Sequence, residues 1–244
     1  MEWRDQNGVR WLQAELPGAR AAFSTRIGGV SRAPYEALNV GVLTGDERSD
    51  VRENRRRLAD AIERDPGGIV MARQVHGAEL RRHEVPQEPR VYADVEKSPD
   101  EVDAQATSNP DLTPLVMVAD CLPVAMVGPE GVAMAHCGWR GLAGGIAGEA
   151  ARAVGAEAAV IGPGIGPCCY KVREEVLSAF DDLDGVARGR MLDLTAVATA
   201  LLERAGVDVI ESSGLCTSCN PELFYSHRRD GERTGRQAGL AWID

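Results

Sequence analysis

The sequence predicts a single α+β domain in which helices cover a mixed β-sheet. A chain of 244 residues with 44% hydrophobic residues is long enough to bury a core unaided. Short apolar runs joined by tight turns indicate β-hairpins, and helical patterns separate other apolar runs. This combination of hairpins and helical crossings favours a mixed sheet over a doubly wound parallel sheet.

The first elements lie in the N-terminal third of the chain. "RAAFSTRIGG" (20–29) is typical of a strand that enters a Gly-Gly turn. Residues 49–65 place apolar side chains on one face of a helix, and Asp50 and Glu53 form a capping-box pattern at its start. "IVMARQVHG" (69–77) then predicts a strand that ends at a glycine.

The remaining elements alternate between helices and strands. Scattered charges and three prolines predict a surface loop over 84–101. The centre of the chain, 115–137, is expected to hold two or three strands. The elements that follow are helices at about 142–154, 171–181 and 194–205, the last with Gly206 as C-cap, and strands at 207–213, 223–229 and 236–243.

The charge balance narrows the classes of partner. A formal net charge of −10 argues against binding to nucleic acids or anionic membranes, since both require a basic surface. The longest apolar run, "LVMVA" (115–119), is too short to cross a bilayer, and the N-terminus has no apolar signal segment. We therefore expect a cytoplasmic protein whose six cysteines do not form a disulfide framework.

Two apolar runs joined by "GPEG" predict a β-hairpin at the centre of the chain. We pair Val127 with Val132 across this turn. His136 then lies opposite Pro123 on the neighbouring strand. Cys121 becomes the diagonal neighbour of His136 on the same face, roughly 7–8 Å away at Cα, so that both side chains can meet one ion.

The register also predicts what faces away from this pair. Asp120 and Cys137 would point to the opposite face, and a one-residue slip would exchange the two faces. A thiolate and an imidazole suit zinc, which takes three protein ligands in catalytic sites. His76 in "RQVHG" is the best third ligand, because His83 looks exposed and His227 lies among basic residues.

Two other interpretations of Cys121 and His136 stay open. The same geometry would let Cys121 act as a nucleophile with His136 as its base, without a metal. Both can also be buried residues without chemistry, as isolated cysteines and histidines usually are.

Three further stretches carry weaker signals. "GPGIGPCCY" (162–170) can turn backbone N–H groups towards an anion or form a plain turn. "CTSC" (216–219) has C-x-x-C spacing, but the adjacent Cys168 and Cys169 supply no second spaced pair, which favours a structural turn. The basic turn "RRDGERTGR" (228–236) is either an anion site or a solvated loop.

Together these stretches resemble a known protein family, the YfiH/YlmD-type proteins, also called polyphenol oxidoreductase or laccase-domain proteins. The matching motifs, in the family's order, are "FSTRIGGVSRAPYEALNVG", "RQVHG", "VADCLPV", "AHCGWRG", "IGPGIGPCCYKV" and "FYSHRRDGERTGRQAGLAWI". The resemblance covers residues 20–243. It implies one domain over 1–244 with α/β/β/α layers, similar to the deamidase domain of cytotoxic necrotizing factor toxins. It also implies a zinc ion held by His76, Cys121 and His136.

The resemblance further implies two reactions on purine nucleosides. These are the phosphorolysis of adenosine, inosine, guanosine and 5′-methylthioadenosine, and the hydrolytic deamination of adenosine. The partners would be a nucleoside and phosphate, and the protein a monomer or a homodimer. Copper could displace zinc in vitro, but four histidines without an HxH pair fit multicopper chemistry poorly.

Phosphorolysis requires donors that position phosphate against the ribose. Arg140 is expected to act together with the metal trio. The candidate phosphate contacts, chosen from residue chemistry, are Arg26, Asn39, Arg140, Arg228, Arg229 and Arg236.

Two other functions compete with a zinc-dependent nucleoside enzyme. The first is a cysteine-type amidase that edits peptidoglycan precursors, with Cys121 as nucleophile and His136 as base. The second is a metal-binding protein without enzymatic activity.

Overall fold

The computed structural model describes residues 1–95, 98 and 100–244. Their strands are β1 (Glu2–Gln6), β2 (Val9–Leu16), β3 (Ala19–Ser24), β4 (Ile69–Val70), β5 (Leu80–Arg82), β6 (Ala104–Thr107), β7 (Thr113–Val118), β8 (Leu122–Gly128), β9 (Gly131–Cys137), β10 (Ala158–Ile161), β11 (Ala187–Arg188), β12 (Met191–Leu192), β13 (Val209–Ser212) and β14 (Gln237–Ile243). The helices are α1 (Arg48–Ala61), α2 (Trp139–Ala143), α3 (Ile146–Val154), α4 (Glu174–Ser178), α5 (Leu194–Arg204) and α6 (His227–Asp230).

Two six-stranded sheets form the centre of the domain. The strand order is β1-β2-β3-β14-β7-β4 in the first sheet and β13-β10-β8-β9-β6-β5 in the second. Most neighbours are antiparallel, whereas β4 with β7, β5 with β6 and β10 with β13 are parallel. Both sheets are therefore mixed, which confirms the predicted α+β class.

The period of two along the strands separates the core into layers. One apolar cluster joins the facing sides of the two sheets; its members include Phe23, Val116, Val132, Met134 and Val160. A second cluster packs the outer face of the second sheet against α3 and α5, and a third packs the first sheet against α1. The layers follow the order α/β/β/α. The similarity to the toxin deamidase domain stays a prediction.

The central hairpin has the predicted register. Val127 pairs with Val132, and Pro123 pairs with His136. Cys137, with no exposed surface, belongs to the cluster that faces the helices, so it points away from His136 as expected.

Several predicted elements differ from the structure. The strand expected over 223–229 is wrong, because the chain there enters α6, whose first turn is capped by the Ser226 side chain accepting from the Arg229 N–H. The helix expected over 142–154 is two helices, since Gly145 at φ 93° interrupts it. The helix α1 has Glu47 as N-cap without a side-chain bond, so the predicted capping box is absent.

Two predicted strand and loop boundaries also move. The strand expected over 69–77 ends after Val70. The loop 84–101 is not wholly at the surface, because Val91 and Tyr92 are buried in the core beneath α1. Part of that prediction falls on residues 96, 97 and 99, which lie outside the described residues.

Among the described residues, no helix is both long and apolar enough to cross a membrane. The N-terminal hairpin of β1 and β2 was not predicted, and neither was β6. β6 positions part of the site, because Asp103, which directly precedes it, accepts hydrogen bonds from two of the predicted metal ligands, His76 and His136.

Candidate metal centre

Three separate parts of the fold bring His76, Cys121 and His136 together. His76 lies in the loop after β4, Cys121 ends the turn between β7 and β8, and His136 is near the end of β9. Their ligand atoms lie within 4.8 Å of one another. Cys121 Sγ is 3.9 Å from His76 Nε2, and the two imidazole rings meet edge to face with centroids 4.8 Å apart. The structure thus places the three predicted ligands around one point.

The turn that presents Cys121 is held in an unusual conformation. Asp120 has φ 100°, a left-handed backbone that is rare outside glycine. Its carboxylate accepts hydrogen bonds from the Thr217 hydroxyl at 2.7 Å and from the Arg228 backbone N–H at 2.6 Å. These two bonds tie the turn to the loop after β13 and to α6, and they hold the Cys121 side chain towards the histidines.

Gly138 closes the other side of the cluster. A Cβ atom at this position would lie 3.0 Å from Cys121 Sγ and 3.2 Å from His76 Cδ2. The backbone there is extended, with φ −84° and ψ 166°, so any residue could adopt it. Glycine here leaves space for the Cys121 and His76 side chains and is not needed for the backbone conformation.

Asp103 is the functional residue that the sequence analysis missed. Its side chain is fully buried, and Oδ1 accepts from His136 Nδ1 at 2.7 Å and from the His76 N–H at 3.0 Å. Oδ2 accepts from the N–H groups of Val75 and Gly77 at 3.0 and 2.7 Å. A carboxylate on Nδ1 leaves Nε2 of His136 free for a metal and fixes the ring orientation. One side chain therefore positions two of the three ligands.

The electrostatics of the cluster favour a thiolate beside an imidazolium. Burial alone raises the pKa of Cys121, but the charge of His136 and hydrogen bonds from both histidines lower it overall. Burial lowers the pKa of His136, but Cys121 and Asp103 together raise it overall. Burial raises the pKa of Asp103, whereas His136 and the Gly77 N–H lower it overall. A thiolate is the form in which cysteine binds metals.

The cluster opens into a cavity of about 540 Å³. Arg140, Arg228 and Arg236 line this cavity. Arg140 lies over the ring of Trp139 at 4.5 Å, and Arg228 lies over the ring of Tyr170 at 5.2 Å. Three of the six predicted phosphate contacts thus line the same cavity as the three predicted metal ligands.

The other three predicted contacts do not line this cavity. Arg26 donates to the carbonyls of Glu36 and Pro221. Asn39 is fully buried, and its amide bonds the loop 39–46 and the Arg236 N–H. Arg229 donates to carbonyls of the loop 217–224 and to Asp230. Each of these side chains uses its polar atoms to hold a loop, and its contact with phosphate stays a prediction.

The two remaining histidines also differ from expectation. His83 is buried, at 6% exposure, rather than exposed, and it directly follows β5. His227 is at the cavity wall on α6. Neither joins the cluster formed by the other two histidines and Cys121.

Comparison with known proteins identifies the family. Residues 20–244 match the model of the family described as multi-copper polyphenol oxidoreductase laccase. The chain belongs to this family. It is 36% identical over 263 residues to a Geobacillus stearothermophilus protein named purine nucleoside phosphorylase YlmD, with 98% of this chain and 95% of that protein covered. It is 37% identical over 248 residues to the Escherichia coli K12 protein named purine nucleoside phosphorylase YfiH, with 96% and 97% covered.

A solved member of the family has the same fold. The crystal structure of YfiH from Bacillus licheniformis matches this chain with a TM-score of 0.86 at 31% identity, over 99% of each chain. The family's description refers to several copper ions, whereas this chain contains four histidines and brings two of them together. The donors at that point, two imidazoles and one thiolate, form a set that suits zinc and is consistent with an open fourth position.

Proposed function

We propose that the chain is a zinc-dependent purine nucleoside phosphorylase that also deaminates adenosine. The observation that carries the proposal is the placement of three metal-type donors on the wall of a cavity that also holds three arginines. The names of the relatives support the substrate class. The substrates proposed for phosphorolysis are adenosine, inosine, guanosine and 5′-methylthioadenosine.

His76, Cys121 and His136 would hold the zinc ion. A bound zinc ion supplies Lewis acidity close to the substrate. Asp103 keeps the His136 proton on Nδ1, so that the ring presents its other nitrogen to the ion. The donor set also accommodates copper, which makes metal analysis of the purified protein part of the test.

The arginines supply the phosphate site of the proposal. The chain carries a net charge of −10, yet Arg140, Arg228 and Arg236 converge on one cavity and create a local positive field. Stacking on Trp139 and Tyr170 holds two guanidinium planes. Arg228 Nη1 donates to the carbonyls of Cys169 and Lys171, so its other N–H groups would meet the oxyanion. Phosphate held there would attack the anomeric carbon of a nucleoside in the same cavity while the bond from that carbon to the purine nitrogen breaks, giving ribose 1-phosphate and the free base.

The test follows nucleoside turnover with and without metal. Purified protein is incubated with adenosine and phosphate, before and after chelation, and adenine, inosine and hypoxanthine are quantified. We expect turnover that stops on chelation and returns with zinc. Arg140→Gln should raise the KM for phosphate about tenfold or more, because it removes a charged hydrogen bond. Arg152→Gln, on the exposed face of α3, is the matched control.

A second candidate function rests on the Cys121–His136–Asp103 arrangement. A thiol beside an imidazole that is oriented by a buried carboxylate is also the arrangement of a cysteine hydrolase. An amidase of this kind would keep its activity after metal removal and lose it on alkylation of Cys121. The chelation experiment therefore separates the two functions.

A further inference from the structure

A second cluster of potential metal ligands lies outside the histidine site. Cys168 and Cys169 lie in the loop after β10, and Cys216 and Cys219 lie in the loop after β13. All four sulfur atoms are within 4.8 Å of one another. Residues 216–219 form a turn, as predicted, but the premise that no second cysteine pair is available is wrong, because the fold supplies it from two adjacent residues.

The sulfur spacing fits one tetrahedral ion. Four thiolates at about 2.3 Å from a zinc ion are about 3.8 Å from one another. Cys219 Sγ is 3.4 Å from the sulfurs of both Cys168 and Cys169. These separations exceed the ~2.05 Å of a disulfide, and all four cysteines are free. A cluster with several metal ions would distribute the thiolates over different ions and spread them further apart.

The two loops are joined by backbone bonds that do not depend on a metal. The Gly164 N–H donates to the Leu215 carbonyl at 3.2 Å, and the Thr217 N–H donates to the Gly164 carbonyl at 2.9 Å. The Gly166 N–H donates to Cys216 Sγ at 3.2 Å, and a Cβ at Gly166 would lie 3.4 Å from Cys168 Sγ. The protein therefore holds the cysteines close together before any ion binds.

Two arginine side chains bond the loops that carry the cysteines. Arg229 donates to the carbonyls of Thr217 and Ser218, inside the C-x-x-C segment. Arg228 donates to the Cys169 carbonyl at 3.3 Å. Four thiolates around one divalent ion leave a net charge of −2, which the Arg228 guanidinium partly offsets, whereas Arg229 is paired with Asp230.

We propose that the four cysteines bind one zinc ion as a structural tetrathiolate site, separate from the histidine site. All four positions are occupied by protein, which is typical of structural rather than catalytic zinc. The ion would clamp the loop after β10 to the loop after β13. Tyr170, which directly follows Cys169, lines the cavity beside the histidine site, and Arg228 of the same cavity donates to the Cys169 carbonyl. The clamp therefore supports the wall of that cavity.

The test counts zinc ions in untagged protein purified without chelator. Elemental analysis of the wild type should find two zinc ions per chain, and Cys216→Ser/Cys219→Ser should lose one. Cys137→Ala removes a cysteine that belongs to neither cluster and should keep both ions. If the double variant does not fold, titration of the folded His76→Ala/Cys121→Ser variant with a mercurial, which releases thiolate-bound zinc, should release one zinc ion per chain.

Cobalt spectroscopy separates this proposal from the proposed function. A His76→Ala/Cys121→Ser variant loaded with Co²⁺ should show the intense visible bands of tetrahedral cobalt thiolate. Those bands would persist even if the histidine site held no metal in any form of the protein. The proposal is overturned if that variant gives no such bands, or if mass spectrometry of the wild type finds a disulfide between Cys219 and Cys168 or Cys169.

Discussion

Asp103→Asn is the most informative single substitution in the predicted metal centre. The two carboxylate oxygens of Asp103 accept four hydrogen bonds, three from backbone N–H groups and one from His136. Asparagine has the same shape but offers one acceptor oxygen, so its NH2 group must face two of the donors. Each buried donor left without an acceptor costs about 1–3 kcal/mol. We expect the free energy of unfolding of the metal-free protein to fall by about 1–3 kcal/mol if the NH2 group faces His136, because that imidazole can move its proton and accept from the amide. The loss should be about 2–6 kcal/mol if the NH2 group faces the N–H groups of Val75 and Gly77.

The same substitution should weaken metal binding. If the amide NH2 faces His136, the imidazole proton moves to Nε2 and blocks the nitrogen that a metal needs. If the amide oxygen faces His136, the N–H groups of Val75 and Gly77, on either side of His76, lose their acceptor. Zinc affinity should fall about 10- to 100-fold in either orientation.

The assays are urea unfolding of metal-free protein and zinc competition against a chromogenic chelator. Because Asp103 has a lowered pKa in the fold, its contribution is complete above its unfolded pKa of about 3.9 and is lost as the pH falls further. The stability difference between wild type and variant should therefore shrink at acid pH. Asp208→Asn, at an exposed position, is the control. A destabilisation below about 0.5 kcal/mol with unchanged zinc affinity would refute the reasoning.

Three further predictions test other parts of the structure. Gly138→Ala should lower zinc affinity about tenfold or more, as measured by chelator competition, while leaving the urea midpoint of the metal-free protein unchanged, because its Cβ contacts Cys121 but its backbone suits alanine. Burial and the Arg81 charge lower the pKa of His83 in the fold. As the pH drops below about 6.5, the unfolded chain therefore binds a proton at His83 that the folded chain does not, and the free energy of unfolding should fall. His83→Gln should flatten that dependence in urea unfolding at pH values between about 7 and 5, and an equal slope in both proteins would contradict the assignment. Arg55→Met should cost about 3 kcal/mol or more in urea unfolding, since three buried carbonyls lose a charged donor.

The position of His136 could be predicted because it depends on local rules, whereas Cys121 lies in the turn before β8, which bonds from Thr217 and Arg228 to Asp120 hold in place. The turn "GPEG" sets the hairpin register, and the period of two along each strand then decides which face each side chain occupies. The same rule places Cys137 on the helix-covered side. A strand cannot change these assignments without changing its register.

The strand expected over 223–229 failed for the opposite reason. Phe224 and Tyr225 resemble strand residues, yet they are buried in a loop where the Ser226 side chain caps a short helix. Both aromatic rings are removed from water by packing against other parts of the fold, so they need no neighbouring strand. Local propensity therefore carried no information about the pairing.

The tertiary structure alone decided which distant groups meet. Asp103 has no spacing relation to His76 or His136, and it reaches both only because β6 pairs with β9 beside the loop after β4. Cys168 and Cys219 likewise meet because β10 and β13 are parallel neighbours whose following loops leave the same edge of the sheet. The sequence by itself determined the hairpin register and the ligand types, since both follow from local geometry and side-chain chemistry. Contacts between distant segments depend on how the sheets and loops pack, and that packing is a property of the whole chain.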